Sequence, residues 1–293
     1  MAKEITHILI AHDVLGKLKC AGQPMLAQVI QRNVSAYYLG SIIPDALFYD
    51  LPPFRLNPKK HLWISRALHH KDRELNDQKA VGLFSSISAA PHMWSQKMAF
   101  SAGIITHTVA DRIFHNLIDY YNNAWREEGS DAMATHREIE TLIDMALLKP
   151  RDMHPRQFCV DHYIALDGPT ECALYHFYLA YLTENARGPN HSLVNVLKKA
   201  INQQRFFLKL FASRHLYHIT KISNNAVSNR LQAWHGLFYP DTDEAQGFQF
   251  PNRMRANPPG DKNPFDPGGL TPYTDAASSE AIRCINLAVR SLA

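Results

Sequence analysis

The sequence has no long apolar run. At the N-terminus Ile8-Leu9-Ile10-Ala11 is bracketed by His7, His12 and Asp13, well short of the roughly 18 apolar residues of a spanning helix and unlike a secretory leader. We expect no membrane span, and a protein that is cytoplasmic or exported by a leaderless, effector-like route. Cysteine is also scarce. Cys20, Cys159, Cys172 and Cys284 are far apart and form no CxxC, which excludes a cysteine zinc cluster or disulfide scaffold and leaves free thiols or at most one disulfide. Charge of one sign is missing too: Lys+Arg of 31 against Asp+Glu of 27 gives a scattered formal +4, which excludes a nucleic-acid stripe. There is no sustained alternation of β-branched residues, no GxGxxG, P-loop or HExxH motif, and no fixed-period repeat.

What remains reads as all-α. With 293 residues, 46% of them hydrophobic, the chain can bury a large core, and its apolar residues recur at helical spacing. We expect helices over Thr6–Leu18, Pro24–Tyr38, Asn76–Ala90, Ser101–Ile118, Ala134–Leu148, Glu171–Thr183, Leu193–Phe211, Ser223–Trp234 and Ala276–Leu292. Gly40 and Pro44 mark a turn, and Pro52-Pro53 stop whatever follows it. Glu127 to Asp131 reads as a loop and Pro150 to Pro155 as a breaker. Pro251 to Pro272, dense in Pro and Gly, reads as a long irregular segment lying over the helices. A helical core over residues 1–150 would then be followed, over 151–293, by further helices and the Pro-rich segment, packed on the same domain. Interleaved aromatic and basic residues from Gln203 to His218 suit core packing with a charged outer face.

The chain also holds 16 histidines, and some fall in a pattern. On the proline-free stretch Ser101–Ile118, His107, Asp111 and His115 lie at i, i+4 and i+8. At about 100° per residue they drift only about 80° and line one face over roughly 12 Å. The next helix repeats the arrangement with His136 and Glu140, one turn apart. Imidazole nitrogen and carboxylate oxygen are zinc ligands, and a one-turn spacing lets both reach one ion at about 2 Å. Two adjacent helices each offering such a pair resemble the polynuclear sites of helical bundles. Ligand type suits zinc, with manganese or iron as alternatives. Asp45, directly after Pro44, is one of two acids in an apolar neighbourhood, with Asp50, and also fits a cap or turn residue. His69 and His70 stand side by side before Lys71-Asp72.

Taken in order, ITHILIA (Ile5–Ala11), GSIIPDALFYD (Gly40–Asp50), LHHKD (Leu68–Asp72), THTVADRIFH on the central stretch and THREIE (Thr135–Glu140) resemble the zinc-dependent phospholipase C family. That family includes bacterial phosphatidylcholine-hydrolysing enzymes and is similar to the N-terminal domain of glycosylphosphatidylinositol-specific phospholipase D. The resemblance covers roughly residues 1–145. It implies a multi-helix bundle with two or three zinc ions. By that analogy His69, His107 and Asp111 hold one ion, and His115, His136 and Glu140 a second. His7, with Asp111 as a bridging carboxylate, holds a third. Asp45 corresponds to the catalytic carboxylate that orients and deprotonates water, and the pattern Leu-His-x-x-Asp favours His69 over His70 as ligand.

The activity so implied is hydrolysis of the glycerol–phosphate ester of a phospholipid, with phosphatidylcholine the expected substrate, at a membrane surface. Another zinc phosphodiesterase, such as a single-strand-specific nuclease, is the alternative enzyme; Trp63, Trp94 and the tyrosines are scattered rather than arrayed for base stacking. A metal-stabilised helical binding protein is the non-catalytic alternative.

Overall fold

In a computed structural model the described residues are 3–20, 23–49, 61–89, 92–126, 132–183, 191–224, 234–241 and 269–292. Among them the chain is helical, with no strand. The helices are α1 (Glu4–Cys20), α2 (Pro24–Arg32), α3 (Val34–Ile42), α4 (Trp63–Arg66), α5 (Arg73–Ser85) and α6 (Trp94–Arg126). They continue with α7 (Ala132–Leu148), α8 (Val160–Tyr163), α9 (Gly168–Leu182), α10 (His191–Phe211), α11 (Arg214–Asn224) and α12 (Thr271–Arg290). The all-α reading holds. None of the described helices is long and apolar enough to cross a membrane.

Contacts divide the chain into two compact units, each drawing on both halves of the sequence: 1–6, 113–159 and 207–275 in one; 7–112, 160–206 and 276–293 in the other. The second unit is built on α3 and the first part of α6. Pro24 opens α2 at its first position, where a missing N–H costs nothing. The expected single helix over Pro24–Tyr38 is instead two, interrupted at Asn33, whose side-chain amide turns back to donate to the Val29 carbonyl at 2.8 Å. Such local bonding by Asn competes with the helical ladder.

Gly40 marks no turn. It lies inside α3, and the 3-10 turn over Ile43–Tyr49 follows without a gap, because Pro44 lacks the N–H that would continue an α-helix. Gly40 and Gly103 let two backbones meet: a Cβ on Gly40 would strike the Phe100 carbonyl, and one on Gly103 the Tyr37 carbonyl. Tyr37 and Thr106 join the same helices by a 3.0 Å hydroxyl–hydroxyl hydrogen bond. Asp72 caps α5, accepting from the Glu74 and Leu75 amides.

In the first unit α7 carries a buried polar network. Asp144 accepts from the amide and hydroxyl of Thr6 at 2.9 and 2.6 Å, and from the Tyr239 hydroxyl at 2.6 Å. Lys3 donates to Thr141 and to the Leu237 carbonyl. These bonds fasten the short segment 234–241, whose Leu237, Phe238 and Tyr239 are buried.

The central helix exceeds its expected bounds at both ends, and α6 runs unbroken through the division between Arg112 and Ile113. The last helix starts at Thr271 and takes in Pro272, which is tolerated in a first turn. Pro52-Pro53, the Glu127–Asp131 loop, most of the expected Ser223–Trp234 helix and residues 251–268 of the Pro-rich segment lie outside the described residues.

Candidate metal centres

Three elements of the second unit bring imidazoles to one carboxylate. His7 comes from α1, His107 from α6, and His69 from the turn after α4; Asp45 comes from the 3-10 turn after α3. Asp45 Oδ1 lies 2.9 Å from His69 Nε2 and 3.8 Å from His107 Nε2, and Oδ2 lies 3.6 Å from His7 Nε2. The His7 ring stacks on that of His107 with centroids 4.0 Å apart, and His69 meets His107 edge-on. His7, Asp45 and His107 are all buried.

The orientation of two of these rings is fixed from outside the cluster. His107 donates from Nδ1 to the Ser41 carbonyl at 2.9 Å, and His69 from Nδ1 to the Ser65 carbonyl at 2.6 Å. Each bond turns Nε2 inward, as carbonyl partners do for metal-ligating histidines. The two Nε2 atoms then face each other at 3.3 Å. Nitrogens sharing a tetrahedral zinc at about 2.0–2.1 Å stand about 3.3 Å apart. Lone pairs facing at this distance need a cation between them, either a proton on His69 or a metal ion. His7 makes the same case, since neither of its buried ring nitrogens has a hydrogen-bond partner. Buried polar atoms are otherwise nearly always satisfied. The donor set of nitrogen and oxygen fits zinc.

Electrostatics favours the ligating protonation states of His7, His107 and Asp45. Burial, helped by the neighbouring His107, pulls the His7 pKa down to about 3, so its imidazole is neutral. Burial also lowers His107, against the pull of the Asp45 charge. Burial alone would raise Asp45, but His107, His69 and His7 together hold it below the usual carboxylate range, and it is ionised. His69 is the basic imidazole of the group: Asp45, bonded to it, raises its pKa against the cost of burial. The negative charge of Asp111, one turn beyond His107, acts on His7, His69 and His107 alike.

The first unit holds a separate group. Ligand atoms of His115 on α6 and of His136 and Glu140 on α7 lie within 4.8 Å of one another. His136 Nε2 is 3.0 Å from Glu140 Oε1, as their one-turn spacing allows, and the His115 and His136 rings are 5.3 Å apart. Burial would raise Glu140, yet nearby positive charge, His136 included, holds it at about 2.

The structure therefore gathers His7, His69 and His107 around Asp45, and His115 and His136 around Glu140. Asp111 joins the first set through its field. His70 stays outside: it is exposed, and its Nδ1 accepts from the Asp72 amide. Sequence reasoning passed over the Ser41 and Ser65 carbonyls, because a backbone acceptor leaves no mark on residue type. It also passed over Tyr178 on α9. This tyrosine is fully buried, its hydroxyl has no hydrogen-bond partner, and burial with the Asp45 charge pushes its pKa far up.

Comparison with curated proteins and with solved structures finds no significant match. A family model described as zinc dependent phospholipase C matches residues 6–171, more than half of the chain and a span that holds every residue of both histidine–carboxylate groups. These matches of sequence and donor chemistry agree, and the chain belongs to the zinc-dependent phospholipase C family.

Proposed function

We propose that the chain hydrolyses the glycerol–phosphate ester of phosphatidylcholine, releasing diacylglycerol and phosphocholine. The observation that carries this reading is the buried cluster of His7, His69 and His107 on Asp45, with ring nitrogens of His7 that no hydrogen bond satisfies. In this reading His69, His107 and Asp111 hold one zinc, with His7 and Asp111 serving a further ion. His115, His136 and Glu140 hold another. Zinc in such sites supplies positive charge that neutralises a phosphodiester and lowers the pKa of water towards about 7.

The remaining chemistry falls to the chain. The Ser41 and Ser65 carbonyls keep the His107 and His69 rings in one tautomer and one orientation. Asp45, ionised and 99% buried, has no proton of its own to give and can take one. It accepts a proton from the water that attacks phosphorus. The phosphorus–oxygen bond to glycerol breaks as the new one forms, and the proton passes to the departing glycerol oxygen. A positioned base of this kind contributes about 10² to 10⁴ in rate.

Elemental analysis of the purified protein, combined with hydrolysis of a choline phospholipid and of single-stranded DNA before and after chelation, tests the proposal. We expect two or three zinc per chain and chelator-sensitive release of phosphocholine with the DNA intact. Cleavage of DNA alone would replace the substrate, and a zinc-loaded protein inert to both would remove the activity.

A further inference from the structure

Helix α11, RHLYHITKISN, has an inner and an outer side of different character. Its inner side is packed: Tyr217 is buried with its ring 5.0 Å from that of His235, and the Thr220 hydroxyl is 3.0 Å from His235 Nδ1. On its outer side Ile219 and Ile222, three residues apart, are 57% and 73% exposed. His215, one turn before Ile219, is exposed as well. The helix contains no acidic residue; Arg214 precedes the isoleucines, Lys221 stands between them, and both cations are exposed.

The carboxylate that Arg214 and His218 share is turned inward. Asp241 is 11% exposed and is bound by Arg156, by Arg214 Nε at 2.8 Å and by His218 Nε2 at 3.1 Å. The Arg214 side chain remains 63% exposed while so anchored. Lys221 lies over the Tyr217 ring, 5.9 Å from its centroid, as a side chain does that runs along an apolar surface with its charge at the water side.

We propose that this outer face of α11 docks on an anionic phospholipid surface, with Ile219 and Ile222 among the acyl chains and Arg214, His215 and Lys221 at the headgroup phosphates. A short amphipathic helix with exposed branched aliphatics, flanking cations and no acid matches the two layers of a bilayer face, apolar beneath anionic. An acidic protein would match the charge of these cations but leave two exposed isoleucines without a role. The choice of a membrane as partner rests on the phospholipase reading; the geometry of the face does not.

Sedimentation of the zinc-loaded protein with sucrose-filled vesicles tests the surface, and hydrolysis of a water-soluble short-chain phosphatidylcholine tests the catalytic reading separately. The protein should bind vesicles containing phosphatidylglycerol more tightly than neutral ones, and added salt should weaken the binding. Ile219→Glu with Ile222→Glu should lower partitioning by about tenfold or more, and Lys221→Glu by about fivefold or more, with wild-type turnover of the short-chain substrate. Both isoleucines are exposed, so these variants keep the fold, which circular dichroism checks. Undiminished binding of the double variant, or no binding by the wild type, overturns the proposal. So does a dimer in ultracentrifugation that the same variants dissociate, since the face would then pair with a second copy. Vesicle binding lost in the variants, with no short-chain hydrolysis by any protein, would leave the docking surface standing and remove the activity instead.

Discussion

His107 donates its Nδ1 proton to the Ser41 carbonyl at 2.9 Å, across the contact where α3 and α6 meet at Gly40 and Gly103. The glycines and the imidazole form one device: Ser41 follows Gly40, and His107 stands one helical turn beyond Gly103. A methyl group on either glycine would meet a backbone carbonyl, which cannot rotate away as a side chain could. Gly103→Ala should therefore cost about 1–3 kcal/mol in stability and lower zinc content by displacing His107. Thermal melting and elemental analysis check both effects. An alanine variant with wild-type zinc and melting temperature would show that the approach is not what aims the histidine.

Metal content and turnover should separate at two buried members of the cluster. His107→Ala should lose zinc and activity together, because it removes a ligand whose orientation the fold fixes. Asp45→Asn should retain most of its zinc and lose about 10²- to 10⁴-fold in turnover. If the asparagine variant lost its zinc in parallel, Asp45 would be a ligand and not the base.

The Lys3–Asp144 network predicts a pH dependence of stability in the first unit. Burial, opposed by Lys3 and by the Thr6 and Tyr239 hydrogen bonds, raises the Asp144 pKa from 3.8 to about 6. Between those values the folded chain holds a proton that the unfolded chain has released, so this group makes stability fall as pH rises from about 4 to about 6. Lys3 acts in the opposite direction: burial lowers it from 10.5 to about 8, and from about 8 upward its contribution makes stability increase with pH. Denaturant melts of Asp144→Asn and wild type, compared at each pH, should show a difference that changes through the acidic window. A constant difference would contradict the raised pKa.

Tyr178 offers a test of cost against role. A buried hydroxyl without a partner is destabilising by about 1–3 kcal/mol relative to a satisfied one. Tyr178→Phe, which keeps the ring against Phe100, should melt at the same temperature as wild type or a few degrees higher. A clear fall in melting temperature would mean that the hydroxyl is bonded in solution.

Local structure was largely legible in the sequence, and the reason is local. A helix fixes the angle between residues one turn apart, so the pairing of His136 with Glu140, at 3.0 Å, follows from spacing alone. The common face of His107 and Asp111 follows in the same way. The five ordered motifs likewise carried the family, whose model covers all of them but Ile5. Where turn residues were read at face value, tertiary contacts prevailed. Gly40 costs helix propensity, about 1 kcal/mol relative to alanine, yet it stays helical because only glycine admits the Phe100 carbonyl. Asn33, unremarkable in the apolar pattern, breaks the helix because its side chain takes the Val29 carbonyl.

The composition and periodicity of the chain thus determined by themselves that it is helical, and that α6 and α7 carry histidine–carboxylate pairs. The family's motif favoured His69 over His70, but only the tertiary structure decided how His7, Asp45 and His69, from three separate segments, meet His107. Periodicity fixes the direction of a side chain from its own axis. Which axes approach, and how closely, depends on the match of whole surfaces, and at Gly40 and Gly103 on the absence of a single carbon atom.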